Sequence, residues 1–289
     1  MDKHSFLIAL GILCLLPVSL FSRSRVVNDT IFSKKLNADR AYSVYLPPSF
    51  GEVQGKKYPV LYLFHGMSQT NQDWVGRGHV QEVADRLIYS QEACEMIIVM
   101  PDAGGDIYKE VWNGFFNMPG WLYEDFFFEE FLPYVENKYP IIGDKKNRAV
   151  AGLSMGGGGA TGYGLWHADK FASVYAMSAL MSIPEEGAAR FDNPDSKLAI
   201  LTRTVIERSC IKRVTDADAG TIQALKSVRW FVDCGDDDFL LDRNIEFFQA
   251  MRKAGIPCQF RVRDGGHDWE YWHSALYRCL PFVSGTFNK

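Results

Sequence analysis

Gly152-Leu153-Ser154-Met155-Gly156 follows the run Arg148–Ala151 and opens into Gly157-Gly158-Gly159-Ala160, which reads as a strand, a sharp turn and the start of a helix. A serine at such a turn is forced into a strained backbone conformation, and only small residues two before and two after it allow strand and helix to approach. That geometry lifts the Ser154 hydroxyl clear of the sheet, where a general base can reach it. A bare G-x-S-x-G arises by chance in many sequences, so its weight comes from the strand before it and the glycines after it.

A nucleophilic serine needs a histidine to take its proton and a carboxylate to orient that histidine, here in the chain order Ser, Asp or Glu, His. Both follow. Val228–Cys234 (VRWFVDC) has the character of a buried strand and runs into Gly235-Asp236-Asp237-Asp238, a turn that presents carboxylates. Beyond a helical stretch, Asp242–Ala254, and a strand, Pro257–Val262, lies Asp264-Gly265-Gly266-His267-Asp268-Trp269, whose glycines let His267 swing over the sheet edge. An acidic turn is usually just solvated, and a histidine in a glycine loop is usually a surface residue. Three features in one required order, each at the C-terminal end of an expected strand, point to a catalytic site instead.

Tyr58–Phe64 is a nearly continuous apolar run, as expected of a central parallel strand, and ends in His65-Gly66-Met67. His65 precedes the serine and is read as shaping this loop. A tetrahedral oxyanion is held by two backbone amides, one after the nucleophile and one from the loop after this early strand, which makes Met155 and Met67 the candidates.

Tyr62-Leu63-Phe64-His65-Gly66, Met100-Pro101-Asp102, Gly152-Leu153-Ser154-Met155-Gly156-Gly157, Cys234-Gly235-x-x-Asp238 and Gly265-Gly266-His267-Asp268-Trp269 together resemble the esterase-D-type α/β-hydrolases. These include feruloyl and acetyl xylan esterases of carbohydrate esterase family one, S-formylglutathione hydrolases and mycolyltransferases. The resemblance runs from about Ile31 to the C-terminus. It implies an α/β-hydrolase fold with a mostly parallel central sheet and helices on both faces, with Ser154 as nucleophile, His267 as base and Asp238 as acid. Asp236 and Asp237 stay open as alternatives to Asp238. The expected activity is carboxylic ester hydrolysis through an acyl-enzyme, with feruloyl or acetyl esters of plant cell-wall polysaccharide as first-choice substrates. Acyl transfer, S-formylglutathione hydrolysis and a catalytically silent carbohydrate-binding homologue are the alternatives.

The 289 residues, 47% of them hydrophobic, suffice for one large α/β core. A net charge of −4 with scattered basic residues disfavours nucleic acid as a partner. Residues 1–24, with Lys3 and His4 before the apolar run Phe6–Leu16, read as a signal peptide cut near Ser22 or Ser24, and 25–289 as a single catalytic domain. The protein is therefore expected to be secreted or periplasmic, without stable membrane insertion after cleavage. An uncleaved anchor and a lipoprotein at Cys14 are the less favoured readings. Five cysteines remain beyond the leader and are expected to be mostly buried thiols, with Cys234 and Cys258 in core strands. No Cys or His spacing suits a metal, and no cofactor is expected.

Further strands are expected near Thr30–Ser33, Arg40–Leu46, Met96–Met100 and Phe171–Met177, with helices near Val80–Ser90, Glu124–Lys138 and Glu270–Val283. Two segments interrupt the alternation and read as lid-like insertions. Residues 103–123 hold Trp112 and Trp121 among other aromatics and glycines, as either an acyl pocket or sugar platform, or a mini-core. Residues 181–227 carry one short helical stretch near Leu198–Ile206. Trp269 and Trp272 are expected to border the leaving-group side, with helix packing at least as strong a reading for Trp272.

Overall fold

The computed structural model describes residues 23–287. The expected leader therefore lies outside the described residues except for Arg23 and Ser24. The strands are β1 (Arg25–Ser33), β2 (Ala38–Leu46), β3 (Val60–Phe64), β4 (Ile97–Pro101), β5 (Asn117–Met118), β6 (Trp121–Leu122), β7 (Arg148–Leu153), β8 (Ser173–Met177), β9 (Arg229–Gly235) and β10 (Cys258–Arg263). The helices are α1 (Asp73–Gly76), α2 (Val80–Tyr89), α3 (Tyr123–Asp125), α4 (Leu132–Lys138) and α5 (Ser154–Trp166), then α6 (Lys197–Glu207), α7 (Cys210–Thr215), α8 (Ala219–Leu225), α9 (Leu241–Lys253) and α10 (Trp269–Ser284).

Eight strands form one sheet in the order β1-β2-β4-β3-β7-β8-β9-β10, in which β2 pairs antiparallel with both neighbours and the remaining pairs are parallel. Side chains alternate across the sheet, as the strand period of two requires. Val60, Tyr62 and Phe64 of β3 face one core with Phe127, Tyr163 and Phe247, whereas Leu61 and Leu63 face a second core with Trp74, Val83, Leu87 and Leu276. Strands buried on both faces need apolar residues at every position, which is why β3, β4 and β7 read as continuous runs. The edge strand β10 is half-exposed, and Cys258 there is only partly buried, contrary to the core placement expected of it.

The successive parallel strands are laid down outward from β3 to β4 and then, after the crossover to β7, in the opposite direction through β8, β9 and β10. The switch falls between β3 and β7, and ligands of open α/β sheets bind outside the strand ends at such a point. The chain enters at the other rim, where Arg25 at the start of β1 pairs with Leu46 and the Ser24 hydroxyl donates to Asp85 Oδ2 at 2.6 Å.

The two insertions have more structure than their sequences suggest. The first contains the β5–β6 hairpin, and the second contains α7 and α8 besides the expected helix. They are fastened to each other: the Lys197 amide donates to Glu110 Oε2 at 3.0 Å, and Arg208 at the end of α6 grips buried Glu124 of α3 at 2.7 and 2.8 Å. His167, just past α5, meets the same carboxylate at 2.8 Å, so the nucleophile helix shares this anchor.

Candidate active site

Ser154 has φ = 53°, a left-handed backbone that costs an ordinary residue about 1–2 kcal/mol. The surrounding packing imposes it. A Cβ on Gly156 would lie 2.2 Å from the His65 carbonyl oxygen and 2.8 Å from backbone atoms of Phe64. The first turn of α5 thus rests directly on the end of β3, and only glycine permits that approach. The Leu180 amide, just beyond β8, donates to the Ser154 carbonyl at 2.9 Å and holds the turn from the other side.

His267 reaches the serine from the far edge. Its Nε2 accepts from Ser154 Oγ at 2.9 Å, and its Nδ1 lies 2.9 Å from Asp238 Oδ2 and 3.1 Å from Oδ1. This pattern assigns the Nδ1–H tautomer, with the Nε2 lone pair aimed at the nucleophile. The loops that carry acid and base interlock, since a Cβ on Gly235 would lie 1.9 Å from the Gly265 carbonyl oxygen. Of the three consecutive aspartates, Asp238 is buried and meets the histidine, while Asp236 and Asp237 are exposed. Burial pushes the Asp238 carboxyl up, but donation from His267, the Ser178 hydroxyl and the Leu240 amide (2.8 Å) more than offsets this and holds it below its ordinary value. It is therefore ionised at neutral pH.

The expected oxyanion donors flank the serine's side of the switch point. Met155 lies in the first turn of α5, whose amides have no helical acceptor, and Met67 lies in the loop that follows β3. That loop is braced by the first insertion: the Ser68 amide donates to Asn113 Oδ1 at 3.3 Å, and Asn113 is fully buried. His65 is also fully buried. Its Nδ1 donates to the Gly66 carbonyl at 2.8 Å, its Nε2 accepts from the Ala103 amide at 2.9 Å, and burial pushes its pKa down, so it ties two loops together as a neutral ring. The structural role read for His65 is what the contacts show.

The tryptophan expectations need correction. Trp269 is buried in the core, edge-on to Trp74 at 5.1 Å and to Trp272 at 5.4 Å, so it packs the core where an open surface beside His267 was expected. Trp121 is likewise buried and donates from Nε1 to the Gly114 carbonyl at 3.0 Å, making the first insertion a mini-core at that position. Trp112 stacks on Trp121 at 6.4 Å beneath Lys197 of α6, at the seam between the insertions. Trp272 is the tryptophan at the triad. Its ring stands perpendicular to the His267 imidazole at 4.9 Å, and its Nε1 donates to Ser178 Oγ at 3.1 Å.

Of four further contributors, sequence reasoning missed three. Ser178, fully buried with φ = 45°, sits just past β8 and passes the Trp272 donation on toward Asp238. Asn244 of α9 clamps the same turn to the acid loop, accepting from the Ala179 amide at 3.2 Å and donating to the Ala179 and Leu240 carbonyls at 2.9 and 2.8 Å. Phe239 is 76% exposed directly beside the buried acid, with its ring 4.5 Å from the imidazole. Trp272, the fourth, stood open between helix packing and the leaving-group side. Position at a strand end was the one sequence signal available for Ser178.

A strained serine, a histidine and a buried aspartate in hydrogen-bond series on an open, mostly parallel α/β sheet define a serine hydrolase with the α/β-hydrolase fold. The Esterase family model matches residues 33–283, and the chain belongs to that family; it is a carboxylic ester hydrolase. The solved structure of a ferulic acid esterase is 67% identical, with a TM-score of 0.89 over 92% of this chain and 99% of that one. An acetyl esterase of Caldicellulosiruptor saccharolyticus is 24% identical over 81% of this chain and 86% of its own length. An endo-1,4-beta-xylanase/feruloyl esterase of Xylanibacter ruminicola is 31% identical over 90% of this chain, which spans 31% of that longer protein.

Proposed function

We propose that this esterase releases feruloyl groups from plant cell-wall polysaccharide, with Ser154 as nucleophile, His267 as general base and then acid, and Asp238 as the carboxylate that fixes the imidazole. The observation that carries the chemistry is the unbroken series Ser154 Oγ, His267 Nε2, His267 Nδ1, Asp238 Oδ2, with a 2.9 Å separation at each hydrogen bond. The substrate reading is supported by the 67% identity to a ferulic acid esterase.

In acylation, Ser154 Oγ attacks the ester carbonyl while His267 Nε2 takes its proton. The carbonyl oxygen becomes the oxyanion, which the Met67 and Met155 amides receive. The C–O bond to the alcohol then breaks and the imidazolium returns the proton to the departing oxygen. Water repeats the sequence in reverse to free the acid. The Asp238 carboxylate stabilises the imidazolium in both halves without itself taking the proton.

The apolar run after Lys3 and His4 supports export to the periplasm or the medium. Cell fractionation and N-terminal sequencing of the protein from its native host test this, and recovery from the cytoplasm with a start at Met1 would overturn it. For the activity, purified protein is offered methyl ferulate, acetylated xylan and p-nitrophenyl acetate. Methyl ferulate is expected to be the best of the three, with Ser154→Ala folded and inactive on all. Preference for acetylated xylan would replace the feruloyl reading with an acetyl one, and turnover by Ser154→Ala would end the mechanism.

A further inference from the structure

We propose that Phe239 forms the platform of a leaving-group subsite that stacks against the neutral sugar bearing the ester; the inference rests on the hydrolase reading above. Between buried Asp238 and buried Leu240, this phenylalanine turns outward and leaves 76% of its surface in solvent. Its aromatic contact is the catalytic imidazole itself, at 4.5 Å between centroids and a 48° tilt. The other aromatic on His267, Trp272 at 4.9 Å, is buried. Of the two rings packed on His267, Phe239 is thus the one that a substrate arriving from solvent meets.

Which half of the substrate that is follows from the chemistry. When the acyl carbon–oxygen bond breaks, the proton on His267 Nε2 must pass to the departing alkoxide, so the alcohol oxygen sits within hydrogen-bond reach of Nε2. Phe239, exposed and 4.5 Å from the imidazole, is the surface on which the next atoms of that alcohol can rest. The apolar C–H face of a sugar suits an aromatic ring held in this way, and its hydroxyls need polar partners at the rim. Asp236, Asp237, Asp264 and Asp268, all exposed, supply acceptors around the acid and base loops. The same carboxylates repel an anionic leaving group, which selects a neutral pentose or hexose over a uronic acid.

The test compares two esters with the same acyl group: a feruloylated neutral arabino-oligosaccharide and methyl ferulate. The readout is the ratio of their kcat/KM values. Phe239→Ala is expected to lower that ratio about tenfold, equivalent to about 1.4 kcal/mol of binding to the sugar, mainly through KM for the oligosaccharide. Phe239→Tyr, which keeps a ring, should retain most of the ratio. A ratio within twofold of the wild type overturns the proposal, whether both esters fall together, as an acyl-side platform or a disturbed His267 would produce, or neither falls. If the wild type hydrolyses acetyl but not feruloyl esters, the feruloyl reading fails separately. The subsite is then decided by the same ratio for an acetylated xylo-oligosaccharide against methyl acetate.

Discussion

Replacing Asp238 by asparagine keeps the shape of the acid and removes its charge, and the surroundings dictate which way the new amide must point. Oδ1 accepts from the Leu240 amide at 2.8 Å, whereas Oδ2 faces His267 Nδ1 at 2.9 Å. An asparagine that turned its NH2 toward Leu240 would set two donors against each other in a buried site, at a cost of about 1–3 kcal/mol. The carbonyl oxygen therefore stays on Leu240 and the NH2 faces the imidazole. Nδ1 must then accept, the ring proton moves to Nε2, and the atom facing Ser154 becomes a donor that cannot take the seryl proton. The expected loss is about 10⁴-fold in kcat, or about 5.5 kcal/mol of transition-state stabilisation. Steady-state hydrolysis of p-nitrophenyl acetate measures it, with circular dichroism establishing that the variant is folded. Activity within tenfold of wild type would refute the tautomer argument, and Asp236→Asn or Asp237→Asn should leave the rate within about twofold. The same variant has a pH signature. The folded carboxyl titrates below its ordinary value, so its contribution to stability is complete above about pH 4 and is lost as pH falls through the folded pKa. Asp238→Asn should flatten that part of the acid-unfolding curve.

Two further substitutions test the supports of the triad. Trp272→Phe keeps an edge against His267 but ends the donation to Ser178 Oγ, and kcat on p-nitrophenyl acetate should fall about five- to tenfold with KM unchanged. A change confined to thermal stability would mean that Trp272 only packs. Gly156→Ala places a methyl 2.2 Å from the backbone oxygen of His65, which has no rotamer to yield. Thermal unfolding should show a loss of about 1–3 kcal/mol together with loss of turnover, and a variant with wild-type melting would show that α5 can withdraw from β3 freely.

The alternation of strands and helices was legible because parallel strands buried on both faces carry apolar residues at every position, as in Tyr62-Leu63-Phe64. Ser154 and His267 were legible because glycines must surround them for close backbone approach. Asp238 was not separable from Asp236 and Asp237 by composition; burial and the Leu240 amide distinguish it, and both arise only on folding. Ser178 and Trp272 lie 94 residues apart, a pairing no local pattern can announce. Trp121 and Trp269 misled because an aromatic in a glycine-rich loop looks alike from sequence whether it faces solvent or core. The short helices α7 and α8 did leave a signal, in the N-caps Ser209 and Asp218, but each spans too few residues for periodicity to register.

Arg25 begins β1 at one rim of the sheet and Ser154 stands at the other, separated by the length of the strands, about 17 Å for five residues. Anything joined ahead of Arg25, whether a resin linker or a sugar-binding module, is thus attached behind the catalytic rim and leaves it open to a bulky insoluble polymer. Immobilisation through the N-terminus should preserve turnover on cell-wall material better than coupling through the surface carboxylates around His267.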